Sequence, residues 1–210
     1  MMGDTIIKDG LYIPNTDIYF PKNGFQVDHV FAVFDYVKKF GVALDVGAHV
    51  GSWCVHMAKR FKTVYAFEPA PDSFECLQKN VGHFPNVHLY NVAVGEKKGK
   101  CAVVEDISRP GNTGSRFISR GKGTVDLIRL DDLNIEKCNL MKLDVEGYEY
   151  PVLRGAQNIL NKFRPVIIME VKTFHGRYYW GKHEASSFLL NHGYREAAAM
   201  RPDKIFVYGR

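Results

Sequence analysis

Five short apolar runs, at 42–46, 63–67, 87–94, 139–144 and 165–169, predict buried strands. Between them the apolar residues recur at three- and four-residue steps, the period of a helix packed on a sheet. Val27, Val30, Phe31, Phe34 and Val37 predict a first helix, closed by Phe40 and Gly41 with Lys38 and Lys39 in its last turn. Trp53, Val55 or His56, Ala58 and Phe61 predict a second helix, and 71–77 opens a third with Asp72 or Ser73 as its cap. Val152, Leu153, Ala156, Ile159 and Leu160 predict a fourth, with Pro151 in its first turn, and 184–191 a last one. A further strand is expected at 100–105. Segments 194–199 and 204–208 bracket Arg201, Pro202 and Asp203 and read as an antiparallel pair closing the sheet edge.

Two stretches break the pattern. Residues 1–22 are punctuated by Gly10, Pro14, Asn15 and Pro21 and read as an irregular arm. Tyr12, Ile13, Ile18, Tyr19 and Phe20 are too many apolar groups for a free tail, so the arm either caps a pocket or straps the domain at 23–210. Residues 106–123 hold three glycines and Pro110 and read as a long loop. Within it Asn112, Thr113, Gly114 and Ser115 offer small hydrogen-bonding groups, ringed by Arg109, Arg116, Arg120 and Lys122. An acceptor-binding loop and a plain surface loop are equally compatible with that composition.

With 210 residues, 46% hydrophobic and 24% charged, the chain is long enough for one sizeable core. No apolar run reaches the length of a bilayer, and the N-terminus lacks a basic-then-apolar leader, so no membrane partner is expected. Cys54, Cys76, Cys101 and Cys138 form no CxxC and stand beside apolar residues. Buried reduced thiols and a cytoplasmic setting follow, rather than zinc or disulfides. The net charge of +5 is modest and reads as surface charge, which makes a nucleic-acid partner unlikely.

The chemistry centres on LDVGAHVGSW at 44–53. A strand broken by Gly47 and resuming as a helix is the layout in which a nucleotide-like ligand meets bare backbone. Gly47 supplies a turn open to positive φ, and Gly51 removes a side chain where helix and ligand would crowd. The spacing is not that of a dinucleotide site, because no third glycine follows. Asp45 would repel a pyrophosphate but suits a ligand with hydroxyls and a positive charge, such as a nucleoside sulfonium. Glu68 ends the next strand 23 residues later, where the second strand of a βαβ unit meets a ribose. Asp144 and Glu170 end two more strands. In a parallel sheet these ends share one edge, so carboxylates converge on one crevice, where a ligand, proton or cation must offset their repulsion. Five βα steps followed by an antiparallel pair give the outline of a class I methyltransferase sheet.

LDVGAHVGSW, AFEP, NVAVGE, NTGS, KLDVEGYEYPVLRGA and RPVIIMEV, in that order across about residues 40 to 175, resemble the FkbM family of S-adenosylmethionine-dependent methyltransferases. The resemblance implies a Rossmann-like α/β fold with a mostly parallel seven-stranded sheet. It implies S-adenosylmethionine as cofactor, with S-adenosylhomocysteine as product, and O-methylation of a sugar or related hydroxylated small molecule. Asp45, Gly47, Ala48, His49 and Gly51 would surround the methionine end of the cofactor, Glu68 and Pro69 its ribose, and Asn91 to Ala93 its adenine. Asp144 would close the pocket beside the sulfonium. The chain departs from the family at Glu170-Val171-Lys172, where many relatives place a histidine after the glutamate; His175, three residues on, is the candidate for that position.

A sugar hydroxyl is a weak nucleophile, so a base within reach helps its attack. Asp144, Glu146, Glu170 and His175 are the candidate catalytic residues. A divalent ion bridging Asp144 and Glu170 is chemically compatible, but no further ligand sits at a fixed spacing, so the metal-free reading is preferred. Two alternatives stand beside the small-molecule or glycan acceptor. One is a nucleic-acid 2′-O-methyltransferase, prompted by the basic charge, Asp144, Glu170, Lys142 and Lys172, and weakened by the lack of a basic stripe interleaved with aromatics. The other is a non-catalytic cofactor-binding module of a larger glycan-building enzyme.

Overall fold

The structure, a computed structural model, describes residues 4–20, 27–121, 123–172, 177–181 and 183–209. It begins with a hairpin, β1 (Thr5–Lys8) and β2 (Leu11–Pro14), where the punctuation predicted irregular chain. The turn residues Asp9 and Gly10 both have positive φ, which is what closes two strands so tightly. Helix α1 (Val27–Phe34) follows; it is shorter than its apolar period, ending before Val37. Then come β3 (Val42–Val46), α2 (Ser52–Ala58), β4 (Thr63–Phe67), α3 (Pro71–Val81) and β5 (Val87–Tyr90).

The run at 87–94, expected as one strand, is broken at Asn91. Beyond it β6 (Ala93–Val94), β7 (Gly99–Val104), β8 (Phe117–Arg120) and β9 (Val125–Ile128) form a small separate sheet in the order β6-β9-β7-β8. The stretch expected as a loop at 106–123 therefore contains a 3-10 turn at Thr113–Ser115 and strand β8. Strand β10 (Leu140–Leu143) leads to α4 (Glu149–Arg154) and α5 (Gln157–Phe163), two helices where one was expected. Their break at Gly155 is packed against the Gly95 carbonyl; a Cβ there would come within 2.0 Å of it. The chain closes with β11 (Val166–Glu170), α6 (Glu184–Asn191), β12 (Tyr194–Met200) and β13 (Asp203–Tyr208).

The main sheet runs β12-β13-β11-β10-β3-β4-β5. Only β13 runs against its neighbours, so the sheet is mostly parallel with the expected antiparallel pair at one edge. Alternation along each strand divides the core between two faces. Leu44, Val46, Met141, Leu143, Ile167 and Met169 pack with α4, α5 and the small sheet. Ala43, Val64, Ala66, Leu140 and Ile168 pack with α1, α2 and α3 on the other face. The order reverses direction between β3 and β10, the place where an open α/β sheet presents a crevice at its strand ends. All four cysteines are buried and free, and no described helix is long and apolar enough to cross a membrane.

Candidate functional site

The crevice at the β3, β4, β10 and β11 ends opens into a cavity of about 1200 Å³, counting the solvent at its mouth. Gly47 makes the first wall. Its φ is +80°, and a Cβ on it would sit 1.8 Å from the Asp144 carbonyl oxygen, so the turn after β3 presses directly on the turn after β10. The amides of Gly47 and Ala48 both donate to the Phe67 carbonyl at 3.0 Å, tying the turn to the end of β4.

Glu68 stands next to that junction. Its Oε2 accepts from the His49 amide and its Oε1 from the Ala70 amide, each at 2.8 Å. A carboxylate has about four lone-pair directions, so each oxygen can still accept from a ligand hydroxyl. Burial pushes its pKa up to about 7, against those two hydrogen bonds. His49 carries the contact to the roof of the cavity. Thr113 donates its hydroxyl to Asp17, so the His49 Nε2, 2.7 Å from the Thr113 oxygen, must be the donor to it. Burial lowers the His49 pKa to about 4, which keeps the ring neutral. Asp17 in turn accepts the Tyr19 and Phe20 amides at 2.9 Å. One chain of hydrogen bonds thus links the N-terminal arm, the 113–115 turn and the glycine turn.

The opposite wall is charged. One carboxylate oxygen each from Asp144, Glu146 and Glu170 lies within 4.8 Å of the others. Lys172 bridges Glu170, in direct contact, and Glu146, at 3.7 Å. Arg177 donates to the Glu146 carbonyl at 3.1 Å and to its carboxylate at 3.2 Å. Glu170 is 4% exposed, and its Oε2 has no hydrogen-bond partner. Burial, then the Asp144 and Glu146 charges, push its pKa up to about 10 against the pull of Lys172. Burial raises Glu146 as well.

Lys142 lies behind this wall. It stands in register with Asp45 across the parallel β3–β10 pair, and both side chains leave the same face of the sheet. Its Nζ donates to the Gly47 carbonyl and lies 3.4 Å from Asp45 and 3.8 Å from Asp144. Burial opposes its charge, but Asp45 and Asp144 outweigh that and hold its pKa above the usual value. Asp45, completely buried, is raised by burial in spite of Lys142. Removing one partner of a buried pair costs about 3 kcal/mol or more, since the other charge is stranded. Lys142→Met should therefore lower stability by about 3 kcal/mol. Asp45→Asn in the same background should restore part of the loss, as read from urea unfolding.

Of the residues singled out in the sequence, Gly47, Ala48, His49, Glu68, Pro69, Ala93, Asp144, Glu146 and Glu170 all line the cavity. Three do not. Asp45 turns to Lys142 instead of the cavity. Gly51, with φ +92°, is crowded by Leu77 of α3, which a Cβ would approach to 2.7 Å, so helix packing by itself demands a glycine there. Asn91 donates its side-chain amide to the Glu68 carbonyl at 2.8 Å and braces the strand end from behind. His175 and Lys122 lie outside the described residues. In the 106–123 stretch, Arg109, Asn112, Thr113, Gly114 and Arg116 line the cavity, whereas Arg120 turns away to Glu96 and Tyr148.

A family model described as the methyltransferase FkbM domain matches residues 45–196, nearly three quarters of the chain. The chain belongs to this family. Hexuronic acid methyltransferase AglP of Haloferax volcanii is 29% identical over 149 residues, covering 68% of this chain and 61% of AglP. The 2-O-methyltransferase NoeI of Sinorhizobium fredii is 27% identical over 150 residues, covering 59% of this chain and 60% of NoeI. The chain spans about three fifths of the length of these curated relatives. Among solved structures, methyltransferase FkbM from Methylobacillus flagellatus superposes with a TM-score of 0.52 at 17% identity, covering 81% of this chain and 44% of that one. Precorrin-6y C5,15-methyltransferase from Geobacter metallireducens gives 0.55 at 17%, covering 90% and 92%. At such identities the structures bear on fold, and the Rossmann-like class I methyltransferase fold is the one they share with this FkbM domain.

Several working parts of the FkbM domain escaped the sequence reading. Asp17 sits in a stretch read only for its apolar groups. In sequence Lys142 and Lys172 carry no sign of their carboxylate partners beyond a basic charge, and Arg177 carries none. The usable signal was the strand pattern itself: a lysine inside the apolar run Leu140-Met141-Lys142-Leu143 is buried unless the strand is an edge, and a buried lysine needs carboxylate partners.

Proposed function

We propose that this FkbM chain is an S-adenosylmethionine-dependent O-methyltransferase whose acceptor is a hydroxyl of a sugar or glycan residue. The observation that carries the reading is the pairing of two features in one cavity. Glu68, with a free lone pair on each oxygen, faces it beside the bare Gly47 turn, and the Asp144–Glu146–Glu170 cluster faces it from the neighbouring strands. The first suits a ribose with two adjacent hydroxyls. The second suits a cation and a proton in transit. The names of the curated relatives AglP and NoeI favour a carbohydrate acceptor and O-methylation.

The cavity fits the cofactor chemically. Trp53, Phe67, Val92 and Val94 give it an apolar lining for a nucleobase and thioether, and Glu68 supplies the hydroxyl acceptor. Gly47, Ala48, His49, Pro69, Ala93 and Asp144 would hold the remainder. When bound, the cofactor supplies a methyl group made electrophilic by its sulfonium.

The chain itself must orient the acceptor oxygen, exclude water and take one proton. The roof formed by Asp17, Thr113 and His49 closes the cavity over the glycine turn. The carboxylate cluster takes the proton: burial and its carboxylate neighbours raise the proton affinity of Glu170, and Lys172 offsets its charge when it is ionised. Glu146, held by Lys172 and Arg177, and Asp144, backed by Lys142, set the field around it.

Glu68→Ala should weaken S-adenosylhomocysteine binding by tenfold or more in calorimetry, because a site built to accept a hydroxyl proton loses its acceptor. Unchanged affinity would remove the ribose assignment. Incubation of the protein with labelled S-adenosylmethionine and, in parallel, a glycan panel and RNA, read by mass spectrometry, tests the activity: label in a glycan ether supports it, and label only in the RNA replaces it.

A further inference from the structure

Four basic side chains line the cavity, and three are engaged. Lys142 is held by Gly47 and Asp45, Lys172 by Glu170 and Glu146, and Arg116 by Asp72 at 2.6 Å and Glu105 at 3.1 Å. Among these four, the exposed Arg109 side chain alone has neither an ion pair nor a hydrogen bond to the described residues, although its charge reaches Asp106. Its backbone is nevertheless fixed: its amide donates to the Asp106 carbonyl at 2.9 Å, and its carbonyl accepts the Asn112 amide at 3.1 Å. The carboxylate nearest in sequence, Asp106, is taken by Arg177 and Ser108. Arg109 is thus a rooted guanidinium that offers its donors to whatever enters.

Beside it the arm presents Tyr19. This ring lines the same cavity although it is 54% exposed, and its neighbour Ile18 donates its amide to the Gly111 carbonyl at 3.0 Å. The arm and the Arg109 turn are therefore joined edge to edge. Asp17 holds the Tyr19 amide in place from below. An exposed aromatic ring at the mouth of a polar cavity offers a face for an apolar surface, and a pyranose has one in its axial C–H groups. A guanidinium presents a planar fork that matches a carboxylate in two parallel hydrogen bonds.

We infer that the acceptor is an anionic sugar of the uronate class, its carboxylate received by Arg109 and its ring face by Tyr19. The inference rests on the glycan reading above and narrows it. It also accounts for a cluster in which Asp144, Glu146 and Glu170 each lie beside a lysine, since unpaired carboxylates would repel an anionic acceptor.

The test is calorimetry of the S-adenosylhomocysteine complex with two probes, the methyl glycosides of glucuronic acid and of glucose. The glucuronide should bind at least tenfold more tightly than the glucoside. Arg109→Gln should abolish that preference while leaving S-adenosylhomocysteine affinity unchanged, and Arg109→Lys should recover part of it. Tyr19→Ala should weaken both glycosides alike. Equal binding of the two probes, or binding of neither, overturns the inference. So does an Arg109→Gln variant that loses cofactor affinity and keeps the sugar preference, since the arginine then serves the cofactor. Methyl transfer is scored separately. An Arg109-dependent glucuronide complex that transfers no methyl group leaves this inference standing and removes the activity. Transfer to glycans without charge preference does the reverse.

Discussion

Gly47→Ala should abolish cofactor binding. The new Cβ would lie 1.8 Å from the Asp144 carbonyl oxygen and 2.8 Å from its carbon, so backbone and not a flexible side chain must move. Neither partner is free to do so. The Asp144 amide is bonded to the Val46 carbonyl, β3 and β10 are paired in register up to Val46 and Leu143, and the Gly47 amide is pinned to Phe67. A φ of +80° adds a strain of about 1–3 kcal/mol for any residue with a side chain. Relief would part the two strand ends that form the cavity wall. S-adenosylhomocysteine affinity should fall at least a hundredfold, measured by calorimetry, with circular dichroism reporting any loss of fold. Gly99→Ala is the control: its Cβ would meet nothing within 4 Å, and binding should be unaffected.

Glu170→Gln should lower kcat by about 10²- to 10⁴-fold, the range a positioned base contributes. Glutamine keeps the shape of the side chain and cannot take the proton. Cofactor affinity should change little, which separates a role in proton transfer from one in binding. The pH profile carries the sign. Burial and two neighbouring carboxylates raise Glu170 to about 10, so its basic form is scarce at neutrality and grows as pH rises. Turnover of the parent protein should climb through the alkaline range, and the climb should vanish in Glu170→Gln. Loss of affinity together with an unchanged profile would place Glu170 in cofactor binding instead.

The main sheet was legible because its strands are short, apolar and separated by helical periods, and the acidic strand ends marked the crevice edge before any geometry was known. The small sheet was not. β6 has two residues, β9 alternates with Asp126 exposed, and β8 hides in a stretch rich in serine, glycine and arginine. Their pairing is set by contacts distant in sequence, which local propensity does not carry. Asp45 shows a second limit. Its place at a strand end next to Gly47 suggested a ligand-facing carboxylate, but side chains alternate across a strand, and Asp45 leaves the face opposite to Leu44 and Val46. There it meets Lys142, its register partner on β10. Gly51 fits the same lesson: the residue type was right for a crowded site, and the crowding comes from Leu77. The roof is a third case. Asp17, Thr113 and His49 are separated by 96 and 64 residues along the chain, and only the fold brings them together.

The central claim is that Glu68 and the Gly47 turn form a nucleoside site at the ends of β3 and β4. Calorimetric titration of the intact protein with S-adenosylhomocysteine tests it most directly. Saturable binding with one site per chain is expected, weakened tenfold or more by Glu68→Ala. Absence of binding by the folded parent protein would contradict it.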